Sequence, residues 1–176
     1  MLNELDYLVT EHFGARSVVR GEHWLRAGQT CTKLALVQRG LLRAYVETPD
    51  ASQTRWAFVA GTFMTSIRSF GLRIPAEENI VAEADCELFE ISYRDWQELQ
   101  DTYPALRTFW LETVVDLCGC YERRLHSLLI GDAGERYRYF LEHYPDFVLH
   151  VPQKYVAEML GIAPRHLSRI RAALSD

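Results

Sequence analysis

The chain has no apolar run approaching the ~18–20 residues a helix needs to cross a bilayer. Its opening, MLNELDYLVTEHFG, carries acids early and has neither a basic stretch nor a continuous apolar one. A secretory signal is therefore not expected, and the reading is of a cytoplasmic protein without a membrane partner. Cysteine is scarce: Cys31, Cys86, Cys118 and Cys120 are too few and too scattered for a disulfide framework. Cys118-Gly119-Cys120 looks like a ligand pair, but residues i and i+2 of a helix point about 200° apart, so the two thiols read as small helical side chains. His12, His23, His126, His143 and His150 show no His-x-His or paired spacing, and no Gly-x-Ser-x-Gly, His-Glu-x-x-His or phosphate loop occurs. These absences leave no metal or cofactor to assign and point away from an enzyme. There is also no low-complexity segment and no repeat.

What is present is ordinary for a globular protein with a real core: 176 residues, 48% hydrophobic and 24% charged. That length holds one large domain, or a medium domain and a small one. Leu2, Leu5, Leu8 and Val9 predict a helix over 2–13. From Arg16 to Ser92 short runs such as LALVQRGLLRAYVE, TRWAFVA and CELFEIS are punctuated by Ala27-Gly28-Gln29, Gln38-Arg39-Gly40, Thr48-Pro49-Asp50 and Ala60-Gly61. Repeated short strands with turn signals predict an all-β roll or barrel. Arg55, Trp56, Phe58 and Met64 are candidates for its interior, and core packing explains them equally well.

Ser92 is a candidate N-cap for the helix that follows, and Pro104 suits the first turn of another, running to about Ile130. Leu106, Trp110, Val114 (or Thr113), Leu117, Tyr121 and Leu128 recur along it every three or four residues or a multiple of that spacing. A stripe that narrow reads as a dimer seam, the alternative being a helix packed on its own β domain. Gly131-Asp132-Ala133-Gly134 reads as a hinge, with Asp132 capping a helix from Ala133 to about Tyr144 whose apolar face is Tyr137, Phe140 and Leu141. Pro145-Asp146 is expected to stop it, and Phe147-Val148-Leu149 to be extended.

The stretch from Val151 to Leu174 reads as two short helices about a tight turn. Val156, Met159 and Leu160 face inward on the first. Gly161 sits where a left-handed cap is expected, and Ala157 allows a close crossing. Pro164 opens the second helix, with Leu167, Ile170 and Leu174 as its buried stripe. Helix, glycine-containing turn, helix is the helix-turn-helix layout. Outside that stripe stand Arg165, His166, Ser168, Arg169 and Arg171, a set suited to base edges and phosphates in a major groove. Gln153 and Lys154 open the first helix, where the backbone would be gripped. The bland alternative is a solvated hairpin with ordinary surface arginines. The net charge of −5 does not exclude DNA, because attraction follows the local field. Three arginines face one aspartate between Pro164 and Asp176, whereas acids gather in the β part at Glu77, Glu78, Glu83, Asp85, Glu87 and Glu90.

A β-roll, a long helix with a dimer-like stripe and a helix-turn-helix, in that order, resembles the Crp/Fnr superfamily of bacterial transcription regulators over nearly the whole chain. The anchors are Gln38-Arg39-Gly40, Gly61-Thr62-Phe63, Cys86 to Tyr93 and, above all, Gly161-Ile162-Ala163-Pro164-Arg165-His166-Leu167-Ser168-Arg169-Ile170. The ending is similar to that of Bacteroidetes-type members. The resemblance implies an α+β fold: a jelly-roll-like sensor over 1–130, ending in a dimerisation helix at about 104–130, and a DNA-binding head over 131–176. It implies a homodimer on a two-fold symmetric double-stranded DNA site, with Arg169 aimed at DNA. Two departures stand out. Thr65 and Ser66 occupy the place of the family's ribose-binding Gly-Glu, and Ala76-Glu77-Glu78-Asn79 lies where a phosphate-binding arginine would be. Carboxylates there repel a phosphate, so cyclic AMP is not expected to bind in the usual way. Arg55, Met64, Thr65, Ser66 and Arg68, with Arg73 nearby, are the candidates for some other effector. The chain also ends at Leu174-Ser175-Asp176, too soon for the family's β-hairpin wing. Two rival readings are a ligand-binding or protein-interaction module of this fold that no longer binds DNA, and an enzyme using the roll's interior.

Overall fold

The computed structural model describes residues 2–49 and 51–175. Asp50 of an expected turn, the side chain of Leu2 and the terminal Asp176 lie outside the described residues. Helix α1 (Leu2–His12) precedes strands β1 (Gly14–Val18), β2 (His23–Leu25), β3 (Lys33–Arg39), β4 (Leu41–Glu47), β5 (Ser52–Val59), β6 (Phe63–Met64), β7 (Asn79–Ala82) and β8 (Cys86–Ser92). A short helix, α2 (Ile67–Leu72), separates β6 from β7. The strands form two four-stranded antiparallel sheets, ordered β1-β8-β3-β6 and β2-β7-β4-β5. Their facing surfaces enclose a core that includes Leu34, Val37, Leu42, Ile80 and Leu88. Period-two alternation sets these faces. In β4 it slips where the pairing with β5 shifts register between Ala44 and Tyr45, which buries two successive residues.

Helices α3 (Tyr93–Thr102) and α4 (Ala105–Ile130) follow the roll. The Ser92 hydroxyl accepts from the Asp95 N–H at 3.1 Å, the expected cap. Trp110 fixes the first half of α4 to the roll, its ring 5.8 Å from Trp96 and 6.0 Å from Phe70. Helix α5 (Ala133–His143) opens with a complete capping box, Glu135 N–H to Asp132 at 2.8 Å and Asp132 N–H to Glu135 at 2.9 Å.

Two local expectations are corrected. Phe147–Leu149 belongs to a helix, α6 (Pro145–His150), because Pro145 takes the first helical position, where its missing N–H costs nothing. Leu141 and Leu174 are exposed rather than inward, each lying at the edge of its apolar stripe.

A second core gathers Tyr137, Phe140, Phe147, Val156, Met159, Leu160 and Leu167 from the C-terminal helices, including α7 (Gln153–Leu160) and α8 (Pro164–Ser175). It also takes in Ala57 and the half-buried Trp56 from β5. The head therefore packs directly onto the second sheet of the roll.

Candidate functional site

Helix α7 ends in a Schellman turn. Gly161 adopts φ 62°, its N–H reaches the Glu158 carbonyl at 3.2 Å, and the Ile162 N–H reaches the Ala157 carbonyl at 2.9 Å. Ala163 then accepts from the His166 and Leu167 N–H groups at 2.8 and 3.0 Å, which starts α8. Leu167 is wholly buried and fixes the roll angle of α8. Arg165 and Arg169 are exposed and one helical turn apart, on the side opposite Leu167. His166 and Ser168 flank them and are exposed. Arg171 lies four residues beyond Leu167, toward the body of the head, and so stands apart from the outward pair. Lys154 is exposed at the start of α7, 3.8 Å from Glu158, and Gln153 is half-buried.

Sequence reasoning missed what holds this hairpin in place. Glu158 is turned toward β5, where its carboxylate accepts from the Thr54 N–H at 3.1 Å and from the Thr54 hydroxyl. The carboxylate in the middle of the head is thereby tied to the roll, with Lys154 beside it. Beside it, the Arg43 guanidinium lies between the rings of Tyr45 (4.4 Å) and Tyr155 (4.7 Å) and bonds Glu83 at 2.6 Å. Burial, and then a hydrogen bond with Glu83, pushes the Tyr155 phenol up to about 12. A raised phenol pKa contributes stability in full below its unfolded value of about 10, and that stability is lost as pH rises through the folded value. The ratio of observed to intrinsic hydrogen-exchange rate in α7 is thus expected to be flat from neutral pH to about 9 and to show a rise above about 10. Tyr155→Phe should remove that alkaline rise.

A cavity of about 670 Å³ lies between the roll and α4. Arg55, Thr65, Ser66 and Arg68 are in its wall, as expected, and so are Trp56 and Phe58. Met64 is not: it is fully buried in the roll core, because its neighbour Phe63 takes the cavity side of a two-residue strand. Arg73 is also elsewhere, donating to the Cys31 carbonyl at 2.6 Å with its guanidinium 4.3 Å from the Tyr93 ring. Two of the three arginines in the cavity wall, Arg55 and Arg68, are paired with carboxylates. Arg55 sits 3.3 Å from Glu78, and Arg68 pairs with Glu77.

The expected seam on α4 is divided, with Leu106 buried, Trp110, Val114 and Leu117 half-buried, and Tyr121 and Leu128 exposed. Leu106 is buried in the roll's core, Trp110, Val114, Leu117 and Tyr121 line the cavity, and Leu128 lies against the turn at Gly161. A different stripe faces solvent: Leu111, Val115, Cys118, Glu122, Leu125 and Leu129, spaced four, three, four, three, four. It lies about 100° around the helix from the first stripe. Cys118 is exposed and Cys120 buried, and both lie in the cavity wall. Among the described residues no cluster of His, Cys, Asp and Glu has the arrangement of a metal site, and no helix is long and apolar enough to cross a membrane.

The model of the cyclic nucleotide-binding domain family matches residues 15–103, the whole roll together with α3. The chain belongs to that family. No curated protein matches this family member, but solved structures do. A CooA variant from Carboxydothermus hydrogenoformans is 18% identical with a TM-score of 0.77, covering 96% of this chain and 78% of that one. FixK2 from Bradyrhizobium japonicum is 17% identical at a TM-score of 0.75, over 93% and 84% of the two chains. The c-di-GMP responsive global regulator CLP of Xanthomonas campestris is 20% identical at 0.70, over 99% and 92%. The likeness extends through the helices beyond the family domain, so this member shares the roll, long helix and helical head of those structures.

Proposed function

We propose that this chain is a cytoplasmic, sequence-specific DNA-binding transcription regulator, acting as a homodimer and not as an enzyme. The observation that carries the reading is the head itself. A Schellman turn and a buried Leu167 present Arg165 and Arg169 outward on one helix, while the nearby carboxylate of Glu158 is tied to the roll. Residues 1–130 serve as sensor and dimer scaffold and 131–176 as head. Arg165, His166, Ser168 and Arg169 meet base edges and phosphates, and Gln153, Lys154 and Arg171 serve as flanking backbone contacts. The fold shared with a c-di-GMP responsive global regulator supports this class of function.

The dimer forms along the exposed stripe of α4, whose alternating spacings of four and three match a two-stranded coiled coil. Only a second copy in parallel register presents the same stripe back to it, which sets the two heads on a two-fold axis. Cyclic AMP does not bind in the usual way, because Glu77 and Glu78 hold Arg68 and Arg55 of the cavity wall and their carboxylates repel a phosphate.

Selection of random duplexes by the purified protein tests the reading. A two-fold symmetric sequence should be enriched, and Arg169→Ala should cost about 1–3 kcal/mol per half-site and relax preference at one position. Absence of enrichment, with residual binding that has no salt dependence, would leave a module that no longer reads DNA.

A further inference from the structure

Glu122 interrupts the stripe that α4 shows to solvent. The spacing of that stripe puts Val115, Glu122 and Leu129 at heptad position a, and Leu111, Cys118 and Leu125 at position d. In a parallel pair each a residue lies beside its own copy near the two-fold axis, so two carboxylates meet inside a mostly apolar seam. A polar residue there costs the pair stability. Glu122 is exposed and has no hydrogen bond or ion pair with any described residue, so its charge is not offset within one chain.

His126 stands four residues on, at the e position that flanks the seam. It too is exposed and has no hydrogen bond, ion pair or ring contact with any described residue. The two side chains are neighbours on the helix, their Cβ atoms about 5–6 Å apart. They border the same open hollow beside α5. The arginines of that hollow are engaged elsewhere: Arg123 donates to the Tyr144 hydroxyl, and Arg136 to the Gly131 carbonyl at 2.9 Å.

A carboxylate and an imidazole one helical turn apart are two metal ligands, and among the described residues one chain brings no third to them. The two-fold axis supplies a second pair. From this we infer that the parallel dimer binds one divalent cation of the zinc class on its axis, held by Glu122 and His126 of each copy. Two imidazole nitrogens and two carboxylate oxygens make a four-coordinate set of the kind zinc takes. The two layers are about 6 Å apart along the helix, so an ion midway lies about 3 Å from each. The two carboxylates balance the charge of the ion, and the residue that weakens the seam becomes the one that closes it. His126 lies near the end of α4, which stops at Ile130. The ion therefore fixes the spacing of the two long helices where they lead into the heads.

The site rests on the homodimer of the proposed function. Sedimentation equilibrium of the untagged full chain, in chelator and in zinc chloride, tests it together with calorimetric titration of zinc. Zinc should saturate at one ion per two chains. At free zinc about 100 times its dissociation constant, the dissociation constant of the dimer should fall about 100-fold. Magnesium chloride should give no such shift, because magnesium prefers oxygen ligands to imidazole. His126→Ala should dimerise in chelator as the unsubstituted chain does and lose the zinc shift. Glu122→Leu should dimerise more tightly in chelator and gain nothing from zinc. Both side chains are exposed, so circular dichroism should show both variants folded. No zinc shift in a chain that dimerises in chelator would overturn the site and leave the seam standing. So would a shift that survives in either variant, or an equal shift from magnesium. A chain that is monomeric with and without zinc would overturn the site and the dimer reading together.

Discussion

Leu111→Glu combined with Leu125→Glu is expected to convert the dimer to a monomer and to lower operator affinity by at least about 100-fold, the avidity that two linked half-site contacts supply. Both leucines are exposed on α4 and belong to the stripe that continues through Val115 and Leu129, the last 74% exposed. Apolar side chains left in water at that density along one helix gain by association. In a parallel pair each leucine meets its own copy, so one substitution places two carboxylates face to face. Glu122 already does this in the middle of the stripe, which leaves the leucines on either side of it to hold the contact. The substituted positions touch nothing in the roll's core, so circular dichroism should be unchanged. Sedimentation should then report half the mass, and Glu112→Gln, exposed but off the stripe, should report the full mass. Full mass in the double variant, or half mass in the unsubstituted protein, would rule out this seam.

The C-terminal helical hairpin was the most legible part of the sequence, because its determinants are local. Gly161, Pro164 and the buried spacing of Leu167 each act within a few residues, and the turn they specify is the one observed. The caps at Ser92 and Asp132 were legible for the same reason. The face of α4 was not. Two apolar stripes run along that helix about 100° apart, and periodicity alone ranks them equally. The stripe with the larger side chains, Trp110 and Tyr121, was read as the seam, but large aromatics were needed to reach the roll and wall the cavity. Met64 failed for a related reason, since its strand of two residues is too short for alternation to show. Glu158 looked like an ordinary helical acid, and only the packing of α7 on β5 gives it Thr54 as a partner more than a hundred positions away. Such a contact leaves no periodic trace in either segment.

The second large effect concerns the frame around the cavity. Two of the crossings from one sheet to the other lie at Gly40, between β3 and β4, and between β7 and β8. The two corners pack together. At Gly40, where φ is 105°, an added Cβ would lie 2.5 Å from Cys86 Sγ, 2.8 Å from the Asp85 carbonyl oxygen and 2.9 Å from Cys86 Cα. Two of those three atoms are backbone and cannot swing aside. Gly40→Ala therefore combines an unfavourable backbone region with overpacking, and a loss of about 4 kcal/mol is expected. For a chain of this size that lowers the melting temperature by about 10 °C. Gly61→Ala separates the two causes. Its φ is 82°, but nothing lies within 4 Å of the added Cβ, so about 1 kcal/mol is expected. Urea unfolding of the two variants gives the comparison directly. Equal losses would mean that the corners are not in contact as described. A Gly40 loss several times larger would establish that close contact between the crossings fixes the spacing of the two sheets. The cavity wall draws on strands of both sheets and on α4, which packs against them, so the same spacing sets the room available to a ligand.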